Sequence, residues 1–185
     1  MSSRNTLIRS MHDLGAAAWL GGSLMGAVAL NGAASDVENP DERVRIAADG
    51  WARWSPVSAA AIGAHLIGGA GLILANRDRV MNQSGVTSNT VIKSLVTVAA
   101  AATTAYSGFL GAKLAASGGT HAEGATEPAA DTPDELASAQ SRLRALQWAI
   151  PVLTAVIVVM GAQQGEQQRP GEILDGRRKK AEQRR

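Results

Sequence analysis

The chain has 185 residues, enough for one domain, and a formal net charge of only +2. So small a charge gives no argument for a nucleic-acid partner, and none is expected. Cysteine is absent, which excludes disulfides, thiolate metal centres and cysteine nucleophiles.

The mean hydropathy of -0.01 looks soluble, but it averages over apolar blocks separated by charge. A helix rises about 1.5 Å per residue, so a hydrocarbon core of about 30 Å calls for roughly 20 apolar residues. Leu14 to Gly32 is the first such run. Pro56 to Ala75 is the second, with Ser55 as its expected N-cap and Pro56 at the first helical position. Ser94 to Ala112 is the third, and Lys93 and Lys113 bracket it as groups expected to reach opposite interfaces. Leu146 to Ala162 is the fourth, with Pro151 inside it. The pattern predicts an all-α, integral membrane four-helix bundle over residues 1–168, followed by a basic tail over 169–185.

Orientation follows from Lys and Arg in the short loops. With the N-terminus inside, twelve basic residues fall on the cytoplasmic side, among them Arg4, Arg9, Arg77, Arg79, Lys93 and the tail cluster Arg177 to Lys180 with Arg184 and Arg185. Six fall outside: Arg43, Arg45, Arg53, Lys113, Arg142 and Arg144. Trp51, Trp54 and Trp148 then lie at the outer interface as an aromatic belt. Both termini are therefore expected in the cytoplasm, and the Ala- and Gly-rich, Arg-dominated composition points to a bacterial plasma membrane. A competing reading of span one is a cleaved signal peptide, since Arg4 and Arg9 precede it and Gly32-Ala33-Ala34-Ser35 follows; its apolar run exceeds the usual length of about 7–15 residues.

The two outer loops open alike. Asn39-Pro40-Asp41-Glu42 and Thr132-Pro133-Asp134-Glu135 both read as N-cap, proline at N1 and glutamate at N3. Each predicts a short interfacial helix leading to the next span. This leaves two readings, a duplicated helical hairpin or convergence on common helix-start chemistry. Ser117 to Thr132 has the composition of a mobile loop, and His121 within it reads as solvated. The tail offers basic residues to anionic lipid headgroups or acts as a topology determinant. The glutamine-rich run Gln163 to Gln168 reads as a solvated span end or a docking segment.

The spans are rich in small residues. Gly22 and Gly26 on span one, Ala60, Ala64 and Gly68 on span two, and Ser107 and Gly111 on span three stand four apart, a spacing that lets helices approach closely in lipid. Not every stripe fits inside one bundle, so a homo-oligomer or a larger membrane complex is an expected partner alongside the bilayer itself. His65 is the one ionisable side chain within a span, near mid-depth; Ser23, Thr103, Thr104 and Thr154 are the other polar groups at that level. Intramembrane ionisable residues default to a functional hypothesis, so His65 is either a ligand site or packing glue bonded to a neighbouring hydroxyl or carbonyl. His12 sits just outside Leu14, and depth arithmetic places it about 12–18 Å from His65 along the membrane normal, too far for one haem iron. A single-ligand haem, an intermolecular pair, or copper(I) on Met11 and His12 are the alternatives to no cofactor at all. No phosphate loop, zinc motif or nucleophile elbow occurs, and no enzyme is expected.

The string Met11-His12-Asp13-Leu14 with Ala18-Trp19-Leu20-Gly21-Gly22 resembles the opening of CopD-like copper-resistance membrane proteins, and Trp51-Ala52-Arg53-Trp54-Ser55-Pro56 is loosely similar to that family's arginine-aromatic entry. The resemblance covers about two of the four spans. It implies copper handling, with His12 and Trp19 as the residues it carries over. The primary expectation from the residues themselves is a non-catalytic subunit, scaffold or accessory factor; the alternative is binding or transport of a metal ion, haem or small solute through the bundle.

Overall fold

A computed structural model describes residues 5–117 and 121–182; Arg4, residues 118–120 and the tail arginines Arg184 and Arg185 lie outside the described residues. Among the described residues six helices follow one another: α1 (Thr6–Ser35), α2 (Pro40–Ala75), α3 (Arg77–Asn82), α4 (Ser84–Ala116), α5 (Asp134–Glu166) and α6 (Pro170–Glu182). Four of them, α1, α2, α4 and α5, are long and apolar enough to cross a membrane. They run up and down, so that the start of α1, α3 and α6 share one end of the bundle, the terminal end. The loops at 36–39 and 117–133 share the other, the hairpin end.

The helices outrun the expected spans. Pro40 starts a 36-residue helix that continues through Pro56, and Asp134 starts a 33-residue helix that continues through Pro151. The two short interfacial helices are therefore not separate elements. Each proline forfeits one backbone bond, and the packing on both sides of it outweighs that loss. Ser55, expected as a cap, lies inside α2 and donates its hydroxyl to Trp51 O at 2.9 Å. The first helix start is as expected: Asn39 Oδ1 accepts from Asp41 N at 3.1 Å, with Pro40 at N1. The second differs. Pro133 precedes Asp134, and the Thr132 hydroxyl serves the loop instead, accepting from Ala129 N (2.9 Å) and donating to His121 O (2.8 Å).

α1 is the central helix. It packs along α2 and against α5, α4 packs along α5, and α2 and α4 meet only loosely. Of the apolar window of α1, 39% is buried, against 17% for α2 and for α4, which makes α1 the axis of the bundle. Trp19 and Ala16 of α1, Ala100 of α4 and Ile150 and Ile157 of α5 form its centre. Outward-facing Ile67, Leu95, Val98, Phe109 and Val159 remain exposed, the arrangement expected where hydrocarbon is the solvent.

The α1–α2 contact is an antiparallel ladder: Ile8 meets Gly71, His12 meets Gly68, Gly15 meets His65, Gly22 meets Trp54, Gly26 meets Trp51 and Leu30 meets Gly50. This corrects the small-residue stripes. Gly22 and Gly26 do not bring backbones together; a Cβ at either would overlap the indole of Trp54 or Trp51. The close backbone approaches are at Gly15, where a Cβ would lie 2.6 Å from His65 N, and Gly68, where it would lie 2.6 Å from His12 N. Ala60 is exposed and Ala64 half-buried; the buried stripe of α2 is Ala61, His65 and Gly68. Its alternating spacing of four and three follows the 3.6-residue period, against which a strict four-residue spacing drifts. Around Gly26–Leu30 α1 widens into a π turn. Gly26 and Asn31, five apart, then both meet Trp51, the indole ring on the glycine and its Nε1 donating to Asn31 Oδ1 at 2.9 Å.

The described part of the second loop is folded, contrary to its composition. Ala122, Gly124, Ala125 and Thr126 are buried. Glu123 N and Gly124 N donate to Glu127 O at 2.9 and 3.1 Å. Arg43 of α2 ties both loops, donating to Val37 O (2.8 Å) and Glu123 O (3.1 Å). An arginine from another element supplies the partners that a Gly/Ala-rich segment lacks on its own. At the terminal end, Gln83 Nε2 donates to Gln167 O (3.1 Å) and Glu172 O (3.4 Å), so the glutamine-rich run docks the chain's own linker.

Candidate ligand-binding site

His12 and His65 stack, with ring centroids 4.0 Å apart and planes inclined by 20°. Each ring's Nδ1–H donates to the other residue's backbone carbonyl at 2.9 Å. A carbonyl only accepts, so both Nδ1 atoms carry protons and the ring lone pairs lie on Nε2. His12 Nε2 accepts from the Lys93 ammonium at 2.8 Å, and Lys93 Nζ also donates to Gln164 Oε1 at 3.5 Å. Trp19 sets its edge toward His65, centroids 6.3 Å apart, and donates Nε1 to Thr104 Oγ1 at 3.1 Å. One cluster thus joins α1, α2, α4 and α5.

Its assembly follows from the ladder. Gly15 and Gly68 admit the helix backbones close enough for each imidazole to reach the opposite carbonyl. Lys93 fits because α5 carries Gly161 beside it, where a Cβ would lie 3.3 Å from the ammonium.

Two expectations are corrected here. His12 is not at a helix end remote from His65; α1 begins at Thr6, so His12 lies about 9 Å inside it at 1.5 Å per residue, level with its partner. Lys93 does not extend outward; its ammonium turns in to His12. It stands nine residues into α4, about 14 Å along the axis, and is only 7% exposed. Lys113, toward the hairpin end, pairs with exposed Glu135 at 2.6 Å.

The contact between the rings bears on a cofactor. A haem iron held by this pair would need the macrocycle between two imidazoles that already touch. An intramolecular bis-histidine haem is excluded by proximity, the opposite of the separation anticipated. Copper(I) on His12 would compete with Lys93 for the Nε2 lone pair. Among the described residues no three His, Asp or Glu side chains group as a metal site.

The loose α2–α4 contact leaves two chambers. The one toward the terminal end, about 310 Å³, is lined by His12, His65, Lys93, Arg9, Arg79 and Gln164 together with Leu66, Ile73 and Val98. The one toward the hairpin end, about 440 Å³, is lined by Trp19, Ser23, Asn31, Trp51, Ser107 and Gln147 among others. Trp19 faces one chamber and His65 the other, so their edge contact is the partition. Ser107 and Gly111 line the second chamber, and Gly111 has no neighbouring helix within 4 Å of where its Cβ would be. Asn31 organises that chamber: besides accepting from Trp51, it donates Nδ2 to Gln147 Oε1 at 2.6 Å.

Of the other anticipated polar groups, Ser23 donates to Leu20 O, Thr103 to Ala99 O and Thr154 to Ile150 O, each within its own helix. None bonds His65, whose partner is the His12 carbonyl. Met11 does not line the first chamber. Sequence reasoning missed Lys93, Gln164, Asn31, Gln147 and Gly15. The signal available for the last was the repeated His-x-x-Gly at His12–Gly15 and His65–Gly68. Comparison of the chain with protein families, curated proteins and solved structures finds no match.

Proposed function

We propose that this chain is a multi-pass protein of a bacterial plasma membrane, with both termini cytoplasmic, that acts without catalysis as a binding subunit: its bundle takes a small solute between α2 and α4. The observation that carries the reading is the buried Lys93–His12–His65 cluster at the wall of a chamber. A polar cluster buried in a bundle at this depth is expensive to keep. Packing alone is served more cheaply by apolar side chains. Pockets of about 300–1,000 Å³ with an apolar lining and a few convergent polar groups are what small-molecule sites look like, and both chambers fall within that range.

The copper handling implied by the CopD-like resemblance draws less support, because a lysine ammonium holds the lone pair that copper would need. Orientation rests on the basic residues Arg9, Arg77, Arg79 and Arg169 to Lys180 gathering at the terminal end.

Two experiments test the proposal. Extraction of the protein in native lipid discs, followed by mass spectrometry of released small molecules, is expected to yield one stoichiometric species that Lys93→Met loses. A bundle that releases none, with or without Lys93, overturns the binding role. Because the chain has no cysteine, single substitutions report topology: Asp131→Cys is expected to react with an impermeant maleimide on intact cells and Glu182→Cys only after permeabilisation. The reverse pattern inverts the orientation.

A further inference from the structure

The charge around the first chamber narrows what it takes; this inference rests on the binding role proposed above. Lys93 is 7% exposed, and its ammonium meets the uncharged His12 Nε2 and Gln164 Oε1. The charged residues in the chamber lining are Lys93, Arg9 and Arg79, and no Asp or Glu is among the described lining residues. Arg79 donates to Gln83 Oε1 (3.3 Å) and to Gln167 O (3.1 Å). Asp13, next to His12 in the chain, is the carboxylate whose charge acts on Lys93, but it does so from an exposed position outside the lining. A buried cation whose hydrogen bonds go only to neutral groups keeps much of its desolvation cost, and an anion brought beside it recovers part of that cost.

The opening of the chamber is apolar. Leu66, Ile73 and Val98 line it and are 47%, 40% and 66% exposed, so it opens sideways between α2 and α4 toward hydrocarbon. Cationic at its inner wall and apolar at its mouth, the chamber complements an amphiphile. Charge and room decide the head group. A single ammonium at the inner wall matches a single negative charge, and about 310 Å³ leaves room for a compact head and one chain rather than for a glycerophosphate carrying two. We propose that the chamber binds a single-chain carboxylate amphiphile, its carboxylate at Lys93 and its chain leaving between α2 and α4. The Lys93 ammonium donates to the carboxylate and to His12 at once, since it has three N–H groups. Arg9 and Arg79 add positive charge to the lining of the same chamber.

The test uses the purified full-length protein in a mild non-ionic detergent, titrated with oleate, methyl oleate and acetate, and in parallel placed in phosphatidylglycerol nanodiscs. Oleate is expected to bind one per chain and at least tenfold more tightly than methyl oleate, with no saturable binding of acetate. Lys93→Met is expected to bring oleate down to the affinity of methyl oleate. Arg9→Gln, an exposed position where folding is not at stake, is expected to weaken oleate several-fold without changing methyl oleate. Equal affinity for oleate and its ester overturns the carboxylate and leaves the binding role standing. Retention of phosphatidylglycerol with no binding of oleate overturns it likewise. Failure of every probe, together with no small molecule released from native discs, removes both the carboxylate and the binding role.

Discussion

His12 and His65 are related by a local two-fold: each imidazole donates Nδ1–H to the other's carbonyl at 2.9 Å, and each histidine has the other helix's glycine against its backbone, Gly68 at His12 and Gly15 at His65. The antiparallel α1–α2 ladder is centred on this exchange. Sliding one helix by a single residue would break both hydrogen bonds and drive a side chain into each glycine gap.

Gly15→Ala and Gly68→Ala therefore test the register. A methyl at Gly15 would lie 2.5 Å from Ala61 O, and one at Gly68 2.7 Å from Ile8 O, both backbone atoms that cannot swing aside. Overpacking of this kind costs about 1–3 kcal/mol, and the gain of about 1 kcal/mol in helix propensity does not cover it. Gly21→Ala and Gly63→Ala meet open space and are expected to be neutral or mildly stabilising. Thermal unfolding in detergent distinguishes the pairs; equal melting temperatures for all four variants would sink the ladder.

Lys93 and His12 should behave asymmetrically. Lys93→Met removes a buried charge and leaves two neutral groups, so stability is expected to stay level or rise by about 1–4 kcal/mol. His12→Leu removes the acceptor and strands the ammonium, at a cost of about 3–5 kcal/mol. The double variant is expected to be more stable than His12→Leu alone, a coupling that a double-mutant cycle reads directly. A Lys93→Met protein as unstable as His12→Leu would mean that the ammonium is not held as described.

The apolar helices were legible in the sequence because charges flank the apolar runs at Asp36, Arg53 and Arg77, and charge facing hydrocarbon is expensive. Which residues meet across the helices was not legible. Hydropathy fixes where a helix is apolar, and says nothing of the register in which two apolar helices pair. Starting span one at Leu14 put His12 outside, although α1 starts eight residues earlier. Starting span three at Ser94 put Lys93 at an interface, although polar Thr87, Ser88, Asn89 and Thr90 already belong to α4. The repeated His-x-x-Gly carried the register, yet His121–Gly124 shows the same spacing in the folded loop, so the spacing alone was no guide.

At the hairpin end, Asn31 holds two partners at once, Trp51 Nε1 at 2.9 Å and Gln147 Oε1 at 2.6 Å. Asn31→Leu orphans both in a partly buried site, and each lost bond of that kind costs about 1–3 kcal/mol. Gln147→Leu orphans the Asn31 amide and gives up a long 3.5 Å contact to the Thr126 hydroxyl, but leaves Trp51 its partner, and is expected to cost less. Trp51 fluorescence should shift to the red in Asn31→Leu and stay in place in Gln147→Leu. Identical spectra for the two variants would remove Asn31 as the organiser of this end.

The position of α1 argues against its being a cleaved leader. A leader passes through the membrane without structural commitments, whereas α1 supplies Trp19 to the core, His12 to the cluster, Asn31 to the hairpin-end network and the glycines that receive Trp51 and Trp54. Removing it would expose the inner faces of both α2 and α5 at once. Expressed from this sequence, the protein is therefore expected to retain α1, which intact-mass measurement reads as no loss of the first residues up to Ala34. A product shortened by about 34 residues, the length at which the small-residue run would permit cleavage, would leave Lys93 without His12 and the bundle without its axis. Expressing residues 36–185 alone makes the same point independently: this fragment is expected to aggregate or be degraded, and a well-behaved three-helix protein would overturn the central role of α1.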